Sequence, residues 1–119
     1  MTSKKITILG GGNLGAAVAE GLLKSGFTQP ADLIVTRRNL DRLIYLKDKG
    51  VTTISDNEVA IKAGEIIIVA LKPYNVKEVL EGLKSSFDPA RHIVISVVTG
   101  VSMMDLSAIV GSKIPLFRA

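Results

Sequence analysis

Short apolar runs and amphipathic segments alternate along this chain without interruption. Ile6-Thr7-Ile8-Leu9 is apolar and largely β-branched, so a strand is expected over Lys5–Leu9. From Asn13 to Ser25 apolar residues recur at helical spacing. Leu14, Ala17, Val18, Gly21 and Leu22 fall on one stripe, and Gly26 is placed to end the helix. After a Gln29-Pro30 turn, a second strand is expected over Asp32–Thr36. A helix over Leu40–Lys49 follows, with Leu43 and Leu46 inward and Gly50 as its stop. A third strand, Val51–Ile54, leads into Ser55-Asp56-Asn57, which suits the cap of a short helix, Glu58–Ala63. Glu65–Leu71 is the fourth strand. It holds the longest unbroken apolar run, Ile66–Leu71, which marks it as central to a sheet. A helix over Asn75–Ser85 directs Val76, Val79, Leu80 and Leu83 inward. His92–Val98 is the fifth strand, and Ser102–Val110 is a helix that Ser102 caps. A sixth strand begins near Ile114 and runs to Ala119.

Strand–helix alternation of this kind requires crossover connections, which are right-handed between parallel strands. The expected fold class is α/β: a Rossmann-type doubly wound parallel sheet in three layers. Its strand order is 3-2-1-4-5-6, and the topological switch lies between strands 1 and 4. There are no repeats, low-complexity tracts or linkers in the sequence.

Chemistry gathers where this pattern turns. Between the first strand and first helix lies Gly10-Gly11-Gly12-Asn13-Leu14-Gly15, which fits Gly-x-Gly-x-x-Gly. The spacing alone is weak. Between a strand and a helix it describes a phosphate-binding corner. Gly10 permits the tight turn, Gly12 lets backbone approach a pyrophosphate, and Gly15 lets helix and strand pack closely. The free N–H groups of the helix then face the phosphates. Residues 1–119 therefore read as one NAD(P)-binding domain.

At the end of the second strand, an NAD site usually carries an acid for the ribose diol. Here the residues are Thr36-Arg37-Arg38-Asn39. Nothing repels a 2′-phosphate, and two guanidiniums can bind it by charge-assisted hydrogen bonds. The plainer alternative is a solvated basic pair. Its position, beside the adenosine ribose, points to NADP (NADPH) as cofactor, with NAD weaker. The fourth strand ends Ala70-Leu71-Lys72-Pro73 at the switch point, where open α/β sheets bind ligands. Lys72 either meets ribose or phosphate oxygens or, with Pro73, only ends the strand and starts a helix. Asn57 either helps to cap its helix or also contacts the adenosine side. The Thr99-Gly100 turn after the fifth strand would sit near the nicotinamide end. His92, the single histidine, falls at the amino edge of the sheet, and a structural role is expected for it. No carboxylate pair, metal cluster or nucleophile–base pair is visible, so neither catalytic residues nor metal ligands are expected.

Composition narrows the class further. Apolar residues make up 47% of the 119, enough for a core rich in buried parallel strands. No apolar run approaches the roughly 20 residues of a membrane span. Residues 1–5 lead directly into the first strand, and no signal peptide is expected. There is no cysteine, which excludes disulfides, zinc thiolates and thiol catalysis and fits a cytoplasmic protein. The net charge of +4 is mild. It either serves solubility or draws an anionic cofactor. Without aromatic–basic interleaving, no nucleic-acid partner is expected.

Three stretches resemble pyrroline-5-carboxylate reductases: Ile8-Leu9-Gly10-Gly11-Gly12-Asn13-Leu14-Gly15, Val69-Ala70-Leu71-Lys72-Pro73 and His92 to Val101. Arg118-Ala119 resembles the start of that family's Arg-x-Met-Pro-Asn segment. The resemblance covers this whole chain but only the amino-terminal cofactor domain of the family. It implies NADPH- or NADH-dependent reduction of 1-pyrroline-5-carboxylate to L-proline, a step of proline biosynthesis. It also implies cofactor contacts at Leu9, Gly10, Gly11, Gly12, Asn13, Leu14, Arg38, Asn57, Ala70, Leu71, Lys72 and Pro73. Thr99 stands where the family more often has Ala, and Tyr74 where it has Gln or His. The helical domain that binds substrate and forms the homo-oligomer is absent from this chain, so the isolated chain is expected to be inactive. Hydride addition to a cyclic imine needs positioning more than acid–base groups. Two other classes share parts of the pattern. A β-hydroxyacid or 6-phosphogluconate-type dehydrogenase would place a catalytic lysine in a further domain. A nucleotide-sensing regulatory module would keep the acid after the second strand.

Overall fold

A computed structural model describes residues 4–119; the part of the leader expectation that concerns Met1–Ser3 lies outside the described residues. The apolar runs pair as one parallel sheet of β1 (Ile6–Leu9), β2 (Leu33–Thr36), β3 (Thr52–Ile54), β4 (Ile66–Val69), β5 (Ile93–Ser96) and β6 (Leu116–Arg118). Their order is β3-β2-β1-β4-β5-β6, the doubly wound arrangement expected from the sequence. Between them run α1 (Asn13–Lys24), α2 (Ile44–Lys47), α3 (Asn57–Ala63), α4 (Pro73–Glu81) and α5 (Met103–Val110). Period-2 alternation sends Ile6 and Ile8 to one face of β1, where they pack with Ala19 of α1 and Leu46 of α2. Leu9, Ile67 and Val69 pack on the other face with Ile61 of α3, Val76 and Leu80 of α4, and Leu106 of α5. The fold is therefore α/β in three layers. Leu9 stands opposite Thr36 in β2 and Val69 in β4, and Val69 stands opposite Ser96 in β5. Four adjacent strands thus end level with one another.

The stripe expected on α1 is rotated. Leu14 is 48% exposed, and Ala17 and Gly21 also face outward; Gly15 and Ala19 are buried, with Val18 and Leu22 of the expected stripe, and Leu23, packed beside them. The cause lies at the first turn. A Cβ on Gly15 would strike the carbonyl oxygen of Gly10, so this position must face the strand. Once Gly15 is inward, positions four, seven and eight residues later follow it. The expected helix over 40–49 divides into a 3-10 turn, Leu40–Leu43, and the short α2. Asn39 accepts a hydrogen bond from Asp41 N–H at 3.1 Å, and this local bond holds the tighter turn. Leu43 and Leu46 are buried as expected. α4 starts two residues before the expected Asn75, because Pro73 takes the first helical position, and a separate 3-10 turn covers Lys84–Ser86.

His92 is buried at the amino edge of the sheet. Its Nδ1 accepts from Asp88 N–H at 2.9 Å, which leaves Nε2–H to donate to the Ile61 carbonyl at 2.8 Å. The imidazole thereby ties the loop before β5 to α3, the structural role expected of it. A cavity of about 410 Å³ opens beside it, but its cations are engaged. Lys62 pairs with Glu58 at 3.0 Å, and Arg91 donates to the carbonyls of Gly64 and Ala63. Replacing His92→Leu leaves the Asp88 N–H without its partner, at a cost of about 1–3 kcal/mol, and takes one of two donors from the Ile61 carbonyl, which keeps the Gly64 N–H at 3.3 Å. Urea unfolding of that variant should show a loss of about 1–3 kcal/mol; an unchanged midpoint would contradict the bridging role.

Candidate functional site

At the end of β1 the chain turns through Gly10, whose φ is +97°. A Cβ there would lie 2.8 Å from the Ala70 carbonyl oxygen, so the position needs glycine on both conformational and steric grounds. Gly11 is packed against Leu43 and Val35, each about 3.0 Å from the position a Cβ would take. Gly12 differs from its neighbours: a Cβ on it would meet nothing within 4 Å. Three glycines of the motif are therefore held by the protein, and one faces open space. Gly12 is also the N-cap of α1 and offers no side-chain cap, so the first-turn N–H groups and the positive end of the helix dipole are uncovered.

The end of β2 fastens this loop. Gly10 N–H donates to Thr36 Oγ1 at 3.2 Å, and Gly11 N–H donates to the Thr36 carbonyl at 2.6 Å. Arg37 Nη1 donates to the Gly11 carbonyl at 2.7 Å. Above the level strand ends lies a cavity of about 340 Å³. Gly10, Gly11 and Gly12 form its base. Thr36, Arg37, Arg38 and Asn39 form one wall, with Ser55 and Asn57 beside them. Ala70, Leu71 and Lys72 form the other wall with Asn75 and Val79. Three cations and no carboxylate line it. Arg38 is exposed at the cavity, whereas Arg37 is half-buried with its guanidinium engaged on the loop. The two arginines, expected to act alike, thus occupy different environments. Tyr45, on α2, is pushed above its ordinary value of 10.0 by burial first and by the Glu20 carboxylate second, while Arg37 pulls it the other way.

The alternatives for Asn57 are separated by its neighbour. Asp56 caps α3, its Oδ1 accepting from Glu58 N–H at 2.9 Å and Val59 N–H at 3.2 Å. Asn57 is free of that duty. Its Oδ1 is buried without a hydrogen-bond partner, at the cavity wall. A buried acceptor left alone is costly, so the arrangement suits a ligand that donates to it.

Of the residues expected to contact a cofactor, Gly10, Gly11, Gly12, Arg37, Arg38, Asn57, Ala70, Leu71 and Lys72 line this cavity. Leu9 does not: its side chain is wholly buried, and only its carbonyl is used, accepting from Ala70 N–H at 2.9 Å. Gly15 lies beneath the loop. Asn13 and Leu14 are exposed on the first turn of α1, Pro73 opens α4, and Thr99 is exposed past the end of β5. Thr36, Asn39, Ser55, Asn75 and Val79 line the cavity without having been singled out as site residues. Asn75 and Val79 stand one turn apart on the cavity side of α4. Among the described residues there is no His, Cys, Asp or Glu grouping suited to a metal ion. No described helix is long and apolar enough to cross a membrane.

Comparison with known proteins agrees with this geometry. The sequence model of the family described as NADP oxidoreductase, coenzyme F420-dependent, matches residues 5–100. Pyrroline-5-carboxylate reductase 1 of Dictyostelium discoideum is 34% identical over 114 residues, which cover 96% of this chain and 20% of that protein. Pyrroline-5-carboxylate reductase of Pasteurella multocida is 36% identical over 113 residues, covering 91% of this chain and 40% of that protein. A solved structure of a pyrroline-5-carboxylate reductase from Coxiella burnetii superposes with a TM-score of 0.89 at 31% identity, covering 98% of this chain and 43% of that one. Plasmodium falciparum pyrroline carboxylate reductase, solved with NADP bound, shares the fold with a TM-score of 0.83 at 24% identity, covering 98% of this chain and 42% of that one. This chain thus spans between a fifth and under half of the length of these relatives.

The glycines give a graded stability test. Gly10→Ala and Gly15→Val drive a side chain into backbone and should each cost about 3 kcal/mol or more, the range reserved for strain and overpacking. Gly12→Val should stay within about 1 kcal/mol, the scale of an N-cap preference. Thermal and denaturant melts compare the three; equal losses would contradict the open setting of Gly12.

Proposed function

Because the chain belongs to the family described as NADP oxidoreductase, coenzyme F420-dependent, we propose that it is the amino-terminal NADP-binding domain of a pyrroline-5-carboxylate reductase. Its reaction would be reduction of the C=N bond of 1-pyrroline-5-carboxylate to give L-proline. One observation carries the reading. A glycine loop open only at Gly12 forms the base of a cavity lined by Arg37, Arg38 and Lys72 and by no carboxylate. The relatives at 34%, 36% and 31% identity support the assignment to this reductase. Of the cofactors in the family description, the dinucleotide is the one these residues fit.

Bound NADPH would supply the hydride. The chain's residues would supply grip and direction. Gly12 and the first-turn N–H groups of α1 would bind the pyrophosphate. Arg38 would bind the 2′-phosphate, and Asn57 Oδ1 would accept from a ribose hydroxyl or the adenine amine. Leu71 and Val79 would offer an apolar wall to the adenine, with Lys72 near the ribose or phosphate oxygens. The lining comes from the ends of β1 to β4, so the cavity suits the adenosine and pyrophosphate part of the dinucleotide. At the carboxyl-end side of the sheet, Leu14, Tyr74 and Met104, on the first turns of α1, α4 and α5, are 48%, 80% and 81% exposed. In the full enzyme, a further domain would cover this side, hold the substrate and join the homo-oligomer. The setting would be cytoplasmic proline biosynthesis.

Fluorescence titration of residues 1–119 should show NADPH binding, with NADH weaker by roughly ten- to hundredfold. That is the range expected from hydrogen bonds to one charged group, reduced by exposure and salt. Gly12→Val should abolish both bindings in a protein with unchanged circular dichroism. Turnover of pyrroline-5-carboxylate by this chain alone should fall far below the usual order of 1–1000 per second. Unaltered NADPH affinity in folded Gly12→Val would remove the pyrophosphate from the loop and the reading with it.

A further inference from the structure

We propose that Arg37 is a positioning residue that braces the glycine loop, and that the choice of NADPH over NADH rests on Arg38 alone. The inference builds on the dinucleotide reading above and assigns separate duties to two adjacent arginines. Arg37 and Arg38 leave the end of β2 in succession, so their side chains depart in different directions. Arg37 is half-buried and spends Nη1 on the Gly11 carbonyl at 2.7 Å, a short charge-assisted hydrogen bond. Its own N–H donates to the Ile54 carbonyl of β3 at 3.2 Å, which anchors the arginine to the sheet. Arg38 is exposed at the same cavity.

The bond at Gly11 does two things. It completes a three-point attachment of the loop to the β2 end, beside the Gly10–Thr36 Oγ1 and Gly11–Thr36 backbone bonds. Thr36 secures the two N–H groups, and only Arg37 secures the carbonyl. The bond also covers an oxygen whose partial negative charge belongs to a cavity built for an anion. Both effects act on the loop, and the loop meets the pyrophosphate, which NADPH and NADH share. Losing the brace must therefore weaken the two cofactors alike. Losing a 2′-phosphate ligand must weaken NADPH alone.

That difference is measurable with Arg37→Met, Arg37→Lys and Arg38→Ala, each titrated with NADPH and with NADH at fixed salt. Arg37→Met keeps the stem and removes the donor. It should raise both dissociation constants by about tenfold, the effect of one charge-assisted hydrogen bond at the low end of its range. The NADPH:NADH ratio should stay within about twofold of wild type. Arg37→Lys, which retains a donor, should recover part of the loss. Arg38→Ala should erase the ratio and leave NADH nearly unchanged. In the nucleotide-free protein, amide hydrogen exchange should quicken at Gly11, Gly12 and Asn13 in Arg37→Met and stay unchanged across β4 and β5. A ratio that falls in Arg37→Met as far as in Arg38→Ala would make Arg37 a phosphate ligand and overturn the proposal. Unchanged affinities, or faster exchange throughout the sheet, would overturn it too. If wild type binds neither dinucleotide, the functional reading fails, and the exchange pattern still decides whether Arg37 braces the loop.

Discussion

Three stretches of backbone meet at the end of β1 more closely than side chains would allow. The Gly10 carbonyl sits where a Cβ on Gly15 would be, and the Ala70 carbonyl sits where a Cβ on Gly10 would be. Strand, helix and neighbouring strand are joined there without intervening atoms. The contact sets the rotation of α1, which decides that Ala19 rather than Leu14 enters the core. It also places the uncapped start of α1 directly above the level ends of β1, β2 and β4. The cavity is the space left over. Its shape follows from a packing constraint among glycines and main chain, and its walls follow from where the adjacent strands stop.

Charge then gives that space a preference. Arg37, Arg38 and Lys72 face it with no carboxylate among the lining residues, and α1 adds the positive end of its dipole. The buried oxygen of Asn57 adds an acceptor awaiting a donor. An anionic ligand that also carries hydroxyl or amino groups satisfies both. No His, Cys, Asp or Glu is among the lining residues; in the reductase proposed above, such a cavity would act by holding the cofactor in position.

Much of this was legible in the residues, because local and long-range signals agreed. The β-branched runs mark β1 to β5, while β6 (Leu116-Phe117-Arg118) has no β-branched residue. The strand–helix alternation, with the rule of right-handed crossovers, gave the sheet order. The glycine spacing between Leu9 and Leu14 located the loop, and the paired arginines located its opposite wall. What escaped depended on contacts between distant segments. The stripe on α1 was read from side-chain apolarity, yet its rotation is decided by Gly15, which has no side chain. The sequence leaves Asn57 two duties, and only the capping of α3 by Asp56 separates them. Arg37 and Arg38 look alike in sequence, and only the Gly11 carbonyl tells them apart. Thr99 follows its strand as the other site residues do, but it lies beyond the cavity.

Every residue lining the cavity falls between Gly10 and Val79, while β5, α5 and β6 lie outside that interval. This ordering matters while the chain is being made. A growing polypeptide contains every lining residue before β5 is made. At that stage Ile66-Ile67-Ile68-Val69 has one edge paired with β1 and the other edge bare. An unshielded, wholly β-branched edge is the kind of surface that recruits other nascent chains. The crossover from Ala70 to His92 has to be synthesised while that edge is open. Until β5 is made and pairs, the β4 edge stays open to such contacts.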